Sequence, residues 1–87
     1  MRHAGPDTIK HLEPLLTELR AIPELREKTP GTFYRGSRAF LHFHEDPTGF
    51  FADVRLDQDF ERVRVTTAAE QRRLVRAVQA ALAPADH

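Results

Sequence analysis

Two histidines and one aspartate are the residues of this chain whose types and spacing best suit chemistry. His42 and His44 lie two positions apart in a stretch that reads as a strand, so their side chains point to the same face. Asp53 follows on the next predicted strand, where pairing across the intervening turn sets it beside His42. Two imidazoles and a carboxylate suit a divalent metal such as zinc, iron or nickel. An open coordination position there would allow hydrolytic or oxygen chemistry.

The same three residues also allow simpler interpretations, and we favour the one in which they are ordinary residues of a sheet face. His42 and Asp53 can form a hydrogen-bonded cross-strand pair on a solvated sheet face, without any metal. Asp53 could instead orient His42 as a general base, but that chemistry needs a nucleophile within reach. Ser37 lies in a distant turn and the chain has no cysteine. We therefore expect no hydrolytic triad, and the sequence favours a protein that is not an enzyme.

The face that bears the histidines is also predicted to carry arginines and phenylalanines. The candidate anion-binding residues are Arg35, Arg38, Arg55 and Arg64. The candidate homodimer face consists of Phe33, Phe40 and Phe51. Aromatic rings among arginines could bind nucleic acid by stacking, or could be covered by a second copy of the chain. The formal net charge is zero, with 13 basic and 13 acidic residues, which argues against a nucleic-acid partner.

Four predicted strands, over residues 32–35, 38–45, 50–56 and 62–65, position these side chains. Turn signals separate the first three strands, with Gly36 opening one turn and the Asp-Pro-Thr-Gly sequence of residues 46–49 forming the other. The expected cross-strand pairs are Arg35 with Arg38, Phe33 with Phe40, His42 with Asp53, and His44 with Phe51. Strand alternation then gives the opposite face the apolar side chains that a core needs.

Helical patterns flank this meander. Apolar residues recur at helical spacing from Ile9 to Ile22, and Pro14 requires either a kink or a helix that begins near Glu13. Thr67 and Glu70 have the spacing of a capping box that opens a last helix. The fold class is therefore α+β, a four-stranded antiparallel meander with both helices on one face, in the order α-β-β-β-β-α. Residues 28–31 are predicted to be a loop, and residues 1–6 and 84–87 flexible tails.

Length and composition favour a single domain over residues 1–87. The chain has no cysteine, which excludes disulfides and thiolate metal sites. Its apolar runs are too short for a membrane span, and its first residues do not resemble a signal peptide, so we expect a cytoplasmic protein without a membrane partner.

One stretch of the chain resembles a known group of proteins. The residues Gly36-Ser37-Arg38, His42-Phe43-His44, Asp46, Gly49 and Asp53 resemble small bacterial proteins of unknown function that are labelled "luciferase domain". That label implies no light chemistry. More distantly, the helix–meander–helix order resembles the MmcQ/YjbR family, which has a frataxin-like layout. The resemblance implies the fold and the candidate residues His42, His44 and Asp53, but no established reaction.

The sequence thus favours a small, soluble binding or interaction module that acts as a homodimer and is not an enzyme. One alternative is a metal-binding or metal-dependent protein that uses His42, His44 and Asp53. The other alternative is a weak nucleic-acid binder that uses the arginine-bearing sheet face. The favoured interaction module requires no cofactor, whereas the metal-binding alternative requires a divalent metal.

Overall fold

A computed structural model describes residues 1–83 as an antiparallel sheet that packs against helices. The helices are α1 (Pro6–His11), α2 (Glu13–Arg20) and α3 (Ala68–Leu82). The strands are β1 (Arg2–His3), β2 (Arg26–Thr29), β3 (Thr32–Arg35), β4 (Arg38–Asp46), β5 (Gly49–Val54) and β6 (Glu61–Arg64). The α+β class is confirmed, but the predicted four-strand topology is wrong because β1 and β2 were missed. The predicted tail over 84–87 lies outside the described residues.

The sheet has the order β2-β3-β4-β5-β6, and each neighbouring pair is antiparallel. The short strand β1 also pairs with β4, at the end of β4 that β3 does not reach. Residues 1–6 are therefore not a flexible tail, because they supply β1 and the first residue of α1. The long strand β4 thus has partners on both of its edges and forms the centre of the sheet.

Strand β2 includes two of the four residues, 28 and 29, that were predicted to be a loop. It pairs with β3 at the edge of the sheet, and its side chains are mostly exposed. Because neither face of β2 is buried, its sequence shows no apolar alternation that could have predicted a strand. Glu27 instead fixes this region, since its carboxylate accepts hydrogen bonds from the side chain of Arg20 and the backbone of Gly31.

The β3–β4 hairpin contains a bulge that the sequence did not predict. Arg35 pairs with Arg38 as expected, and Tyr34 with Ala39, but Phe33 then pairs with Leu41. Phe40 is therefore an extra residue on β4, and the predicted pairing of Phe33 with Phe40 is wrong. Both rings are buried, at 0% and 3% exposure, within the hydrophobic core. The prediction that these two rings are exposed on the histidine face is therefore wrong, whereas the homodimer itself stays a prediction.

The helices cover the apolar side of the sheet. A break at Leu12 separates α1 from α2, and α2 begins at Glu13 with Pro14 in its first turn, which is one of the two predicted arrangements. The predicted capping box is present at the start of α3. Buried residues of the helices and the sheet form one core: Leu12, Leu15, Leu16, Leu19, Ile22, Phe33, Phe40, Leu41, Phe43, Ala52, Val54, Val65, Leu74, Val78 and Leu82.

The β4–β5 hairpin has the predicted register around the histidines. His42 pairs with Asp53, and His44 pairs with Phe51. Gly49 closes the turn with a φ of +148°, and a Cβ atom there would collide with the Thr66 hydroxyl oxygen, which accepts a hydrogen bond from the Phe50 amide. Glycine is therefore needed at this position. Within residues 1–83, no helix combines the length and apolar character required to cross a bilayer.

Candidate metal centre

The structure brings His42, His44 and Asp53 together on the sheet face opposite the helices. Each can place one ligand atom within 4.8 Å of the ligand atoms of the other two. The Asp53 Oδ2 atom lies 3.5 Å from His42 Nε2 and 3.0 Å from His44 Nε2. The strand alternation on β4 and the cross-strand pair with β5 produce this arrangement, as the sequence predicted.

These distances match the spacing that a single metal ion requires of its ligands. Zinc binds imidazole nitrogens and carboxylate oxygens at roughly 2.0–2.2 Å, usually with tetrahedral geometry. Two ligand atoms on one such ion are therefore about 3.3 Å apart. The two nitrogen–oxygen distances in the cluster fall on either side of this value, so each histidine nitrogen is close enough to the carboxylate oxygen for both to bind one ion.

The Nε2 atom of the His44 ring is buried without a hydrogen-bond partner in residues 1–83. The side chain is about nine-tenths buried, yet its Nε2 atom has no hydrogen-bond partner among the described residues. Although Asp53 Oδ2 is only 3.0 Å away, the direction from the ring nitrogen does not suit an N–H donor. A buried nitrogen without a partner is energetically costly, and a cation between this nitrogen and the carboxylate would satisfy both atoms.

Arg62 holds the Asp53 carboxylate in place. Its Nε atom donates to Asp53 Oδ1 at 2.7 Å, and its Nη2 atom donates to Asp53 Oδ2 at 2.9 Å. These hydrogen bonds lower the pKa of Asp53, against the opposing effect of its partial burial. Asp53 therefore stays ionised, which is the form that binds a metal. Arg62 begins one of the predicted strands, over residues 62–65, but the sequence did not predict its pairing with Asp53.

His42 lies in a more open part of the cluster. Burial first, and then the nearby His44 ring, lower the pKa of His42, which favours the neutral imidazole that a metal requires. The exposed Phe60 ring covers one side of His42, with the ring centroids 5.3 Å apart. The Arg55 guanidinium lies over the same Phe60 ring, 4.4 Å from its centroid.

A third histidine lies beside the cluster, and sequence reasoning missed it. His3 on β1 pairs directly with His44 on β4, and their rings stack with centroids 4.7 Å apart. The His3 centroid is 6.0 Å from that of His42. Residue 3 had no strand signal around it, so nothing in the sequence pattern could assign it to this face.

The four candidate anion-binding arginines do not form one cluster. Arg35 and Arg38 are exposed at the β3–β4 turn, and Arg55 stacks on Phe60. Arg64 contacts the Glu70 carboxylate at 3.4 Å and donates to the Thr48 carbonyl at 2.9 Å. Their role in anion binding stays a prediction. Of the three candidate dimer residues, only Phe51 lies on the histidine face, where it is half-buried and pairs with His44.

Comparison with known proteins gives no relative from which a function could be transferred. No protein-family description, no curated protein and no solved structure matches the chain. The resemblance to the luciferase-domain and MmcQ/YjbR proteins therefore stays a prediction. Any functional conclusion has to rest on the geometry of His42, His44 and Asp53.

Proposed function

We propose that this protein binds one divalent transition metal ion through His42 Nε2, His44 Nε2 and the Asp53 carboxylate. The single observation that supports this function is the buried, unpartnered His44 Nε2 atom, which lies 3.0 Å from Asp53 Oδ2. If that nitrogen bears a proton, the proton lacks an acceptor. If it bears a lone pair, that lone pair has no donor, and a metal ion bound to it could also bind the neighbouring Asp53 carboxylate oxygen.

The ligand set favours zinc over magnesium or calcium. Magnesium and calcium prefer shells made of oxygen ligands, whereas imidazole nitrogen suits zinc and its transition-metal neighbours. Arg62 would act as the outer partner that orients Asp53, because its two hydrogen bonds leave further acceptor capacity on the carboxylate oxygens. Such outer partners are a regular feature of metal sites in proteins.

The proposed activity is metal binding rather than metal-dependent hydrolysis. Metal-dependent hydrolysis would need a general acid or base beside a metal-bound water, and His42, His44 and Asp53 are proposed as ligands rather than for that role. A binding module is also consistent with the small size of the chain. The interaction and nucleic-acid alternatives have no comparable geometric support, because two of the three dimer residues lie in the core.

The test is elemental analysis of the purified protein after incubation with zinc and removal of loosely bound ions. We expect about one equivalent of zinc in the wild type, and none in the His42→Ala, His44→Ala double variant. The matched control is His11→Ala, because His11 is an exposed histidine on α1 whose ring lies against Phe50. This control should keep its zinc. Wild-type protein that holds no metal after separate incubations with zinc, nickel and iron would contradict the proposal.

A further inference from the structure

His3 lies where a further ligand of the proposed metal would have to be. It is the direct cross-strand partner of His44, so both side chains project from the same face of the sheet. The three imidazole centroids of His3, His42 and His44 are separated by 4.7, 4.9 and 6.0 Å. Imidazoles that share one tetrahedral metal have centroids about 5 Å apart, given metal–nitrogen bonds of about 2.0–2.1 Å. The separations of His44 from His3 and from His42 match this spacing, and the separation of His3 from His42 is about 1 Å larger.

The His3 ring has to change its orientation in order to share a metal with the other three residues. Its nitrogens are not part of the group whose ligand atoms lie within 4.8 Å of one another, which consists of His42, His44 and Asp53. However, its residue is exposed, and its ring currently stacks on His44 with an angle of 30° between the two planes. Turning this ring about its side-chain bonds leaves the core undisturbed, because the ring is not packed into it.

The backbone around His3 is held in position without any metal. The Ala4 amide donates to the Phe43 carbonyl at 3.1 Å, and Arg2 donates to the Glu45 carboxylate at 2.7 Å. These contacts fix β1 on either side of His3. The scaffold therefore presents the imidazole to the site in advance, which lowers the entropy that metal binding would cost.

We infer that His3 is the fourth protein ligand, so that the bound metal joins β1 to the β4–β5 hairpin. This inference rests on the proposed function, because it assigns the remaining position of that same site. Three imidazoles and one carboxylate complete a tetrahedral shell and leave no position for a substrate. A closed shell of this kind is characteristic of structural zinc sites, whereas catalytic sites keep one position open.

The first experiment compares zinc affinity among single variants, by competition with a chromophoric chelator. The full chain is used, with any purification tag at its carboxyl end. We expect His3→Ala to weaken zinc binding by about tenfold or more, since even the loss of an outer-shell partner costs roughly 10–100-fold. His11→Ala is the matched control and should bind like the wild type. The His42→Ala, His44→Ala double variant should not bind.

The second experiment follows the Ala4 amide by hydrogen exchange with and without zinc. Zinc should slow exchange of this amide in the wild type, because the metal fastens β1 to β4 through His3. In His3→Ala the same addition of zinc should have no effect. The exchange rate of each protein without zinc shows separately whether the substitution itself detaches β1.

The possible outcomes separate the two proposals. If His3→Ala and the wild type bind zinc equally well, and zinc leaves the Ala4 amide unaffected, His3 is not a ligand although the three-residue site stands. If His11→Ala weakens binding as much as His3→Ala does, the effect is not specific to β1 and the inference is also overturned. If the wild type does not bind zinc, both the proposed function and this inference fail.

Discussion

At the scale of single residues, Asp53 lies between the Arg62 guanidinium on one side and the imidazoles of His42 and His44 on the other. Arg62 donates two hydrogen bonds to its carboxylate, at 2.7 and 2.9 Å. On the other side, both histidine Nε2 atoms lie within 3.5 Å of Oδ2. The Arg62 guanidinium thus pairs with the Asp53 carboxylate in the metal-free protein. This arrangement makes the ionisation of Asp53 sensitive to Arg62.

We predict that Arg62→Met raises the pKa of Asp53 in the metal-free protein. The hydrogen bonds from Arg62 are the largest cause of the lowered pKa, and burial alone pushes it upward. The wild-type pKa of Asp53 is below its ordinary value of 3.8. The ionised Asp53 carboxylate therefore stabilises the folded state fully above pH 3.8, and this contribution is lost as the pH falls through the folded-state pKa. The measurement is a carboxyl ¹³C NMR titration, together with unfolding curves at several acidic pH values.

The control for this prediction is Arg64→Met, two positions further along the same strand. Arg64 contacts Glu70 and the Thr48 carbonyl rather than Asp53. Its loss should leave the Asp53 titration where it is in the wild type. If Arg62→Met gives the same Asp53 pKa as the wild type, the paired hydrogen bonds do not control this carboxylate.

At the scale of secondary-structure elements, Glu45 joins β1, α1 and β4. Its carboxylate accepts hydrogen bonds from the Arg2 side chain and from the Gly5 amide, at 2.7 and 3.1 Å, and also from the Thr8 hydroxyl. Gly5 is the residue that precedes α1, so Glu45 supplies the cap that the local sequence lacks. One carboxylate therefore positions both the strand that bears His3 and the helix that follows it.

We predict that acid detaches β1 from β4 through protonation of Glu45. The hydrogen bonds from Thr8 and then from Gly5 lower its pKa below the ordinary value of 4.5. The stabilising contribution is therefore complete above pH 4.5 and disappears as the pH falls through the lower, folded-state pKa. The measurement is the amide chemical shift of Ala4 as a function of pH, in metal-free protein.

Glu45→Gln and Asp7→Asn are the two comparison variants for this acid transition. Glu45→Gln removes the titrating group and should abolish the transition at Ala4. Asp7 is an acidic residue in the first turn of α1, and it is exposed, so Asp7→Asn should preserve the transition. If the transition at Ala4 persists unchanged in Glu45→Gln, it arises from a group other than Glu45.

The contrast between the β4–β5 hairpin and the short strand β1 explains what the sequence could and could not predict. The pairing of His42 with Asp53 follows from alternation and a clear turn signal, both of which are local. By contrast, β1 is two residues long and depends on contacts with Glu45, which is more than forty positions away. The bulge at Phe40 is equally invisible, because one extra residue changes the register without altering the pattern of residue types.

At the scale of the whole molecule, the bulge determines which phenylalanines stabilise the core. Without the bulge, strict alternation would point Phe40 to the histidine face, as the sequence analysis assumed. With the bulge, both Phe40 and Leu41 are buried, at 3% and 0% exposure. Phe51 has no such irregularity around it and remains half-buried on the histidine face. The two phenylalanines should therefore respond to substitution in different ways.

We predict that Phe40→Ala lowers the free energy of unfolding by about 3–5 kcal/mol, as is usual for a buried phenylalanine. This is a large share of the total for a small domain, which is roughly 0.05–0.15 kcal/mol per residue. Phe51→Ala should cost only about 1 kcal/mol, because part of its ring already contacts water. Urea denaturation of the wild type and both variants measures these differences.

The same denaturation curves decide between a core role and an interface role for Phe40, if they are repeated at two protein concentrations. A core residue lowers the stability of the monomer, so its effect on the urea midpoint does not change with concentration. An interface residue acts on a dimer, whose stability rises with protein concentration. We expect the effect of Phe40→Ala to be independent of concentration. If the difference in urea midpoint between the wild type and Phe40→Ala grows with protein concentration, Phe40 contributes to a dimer interface, in spite of its burial within one chain.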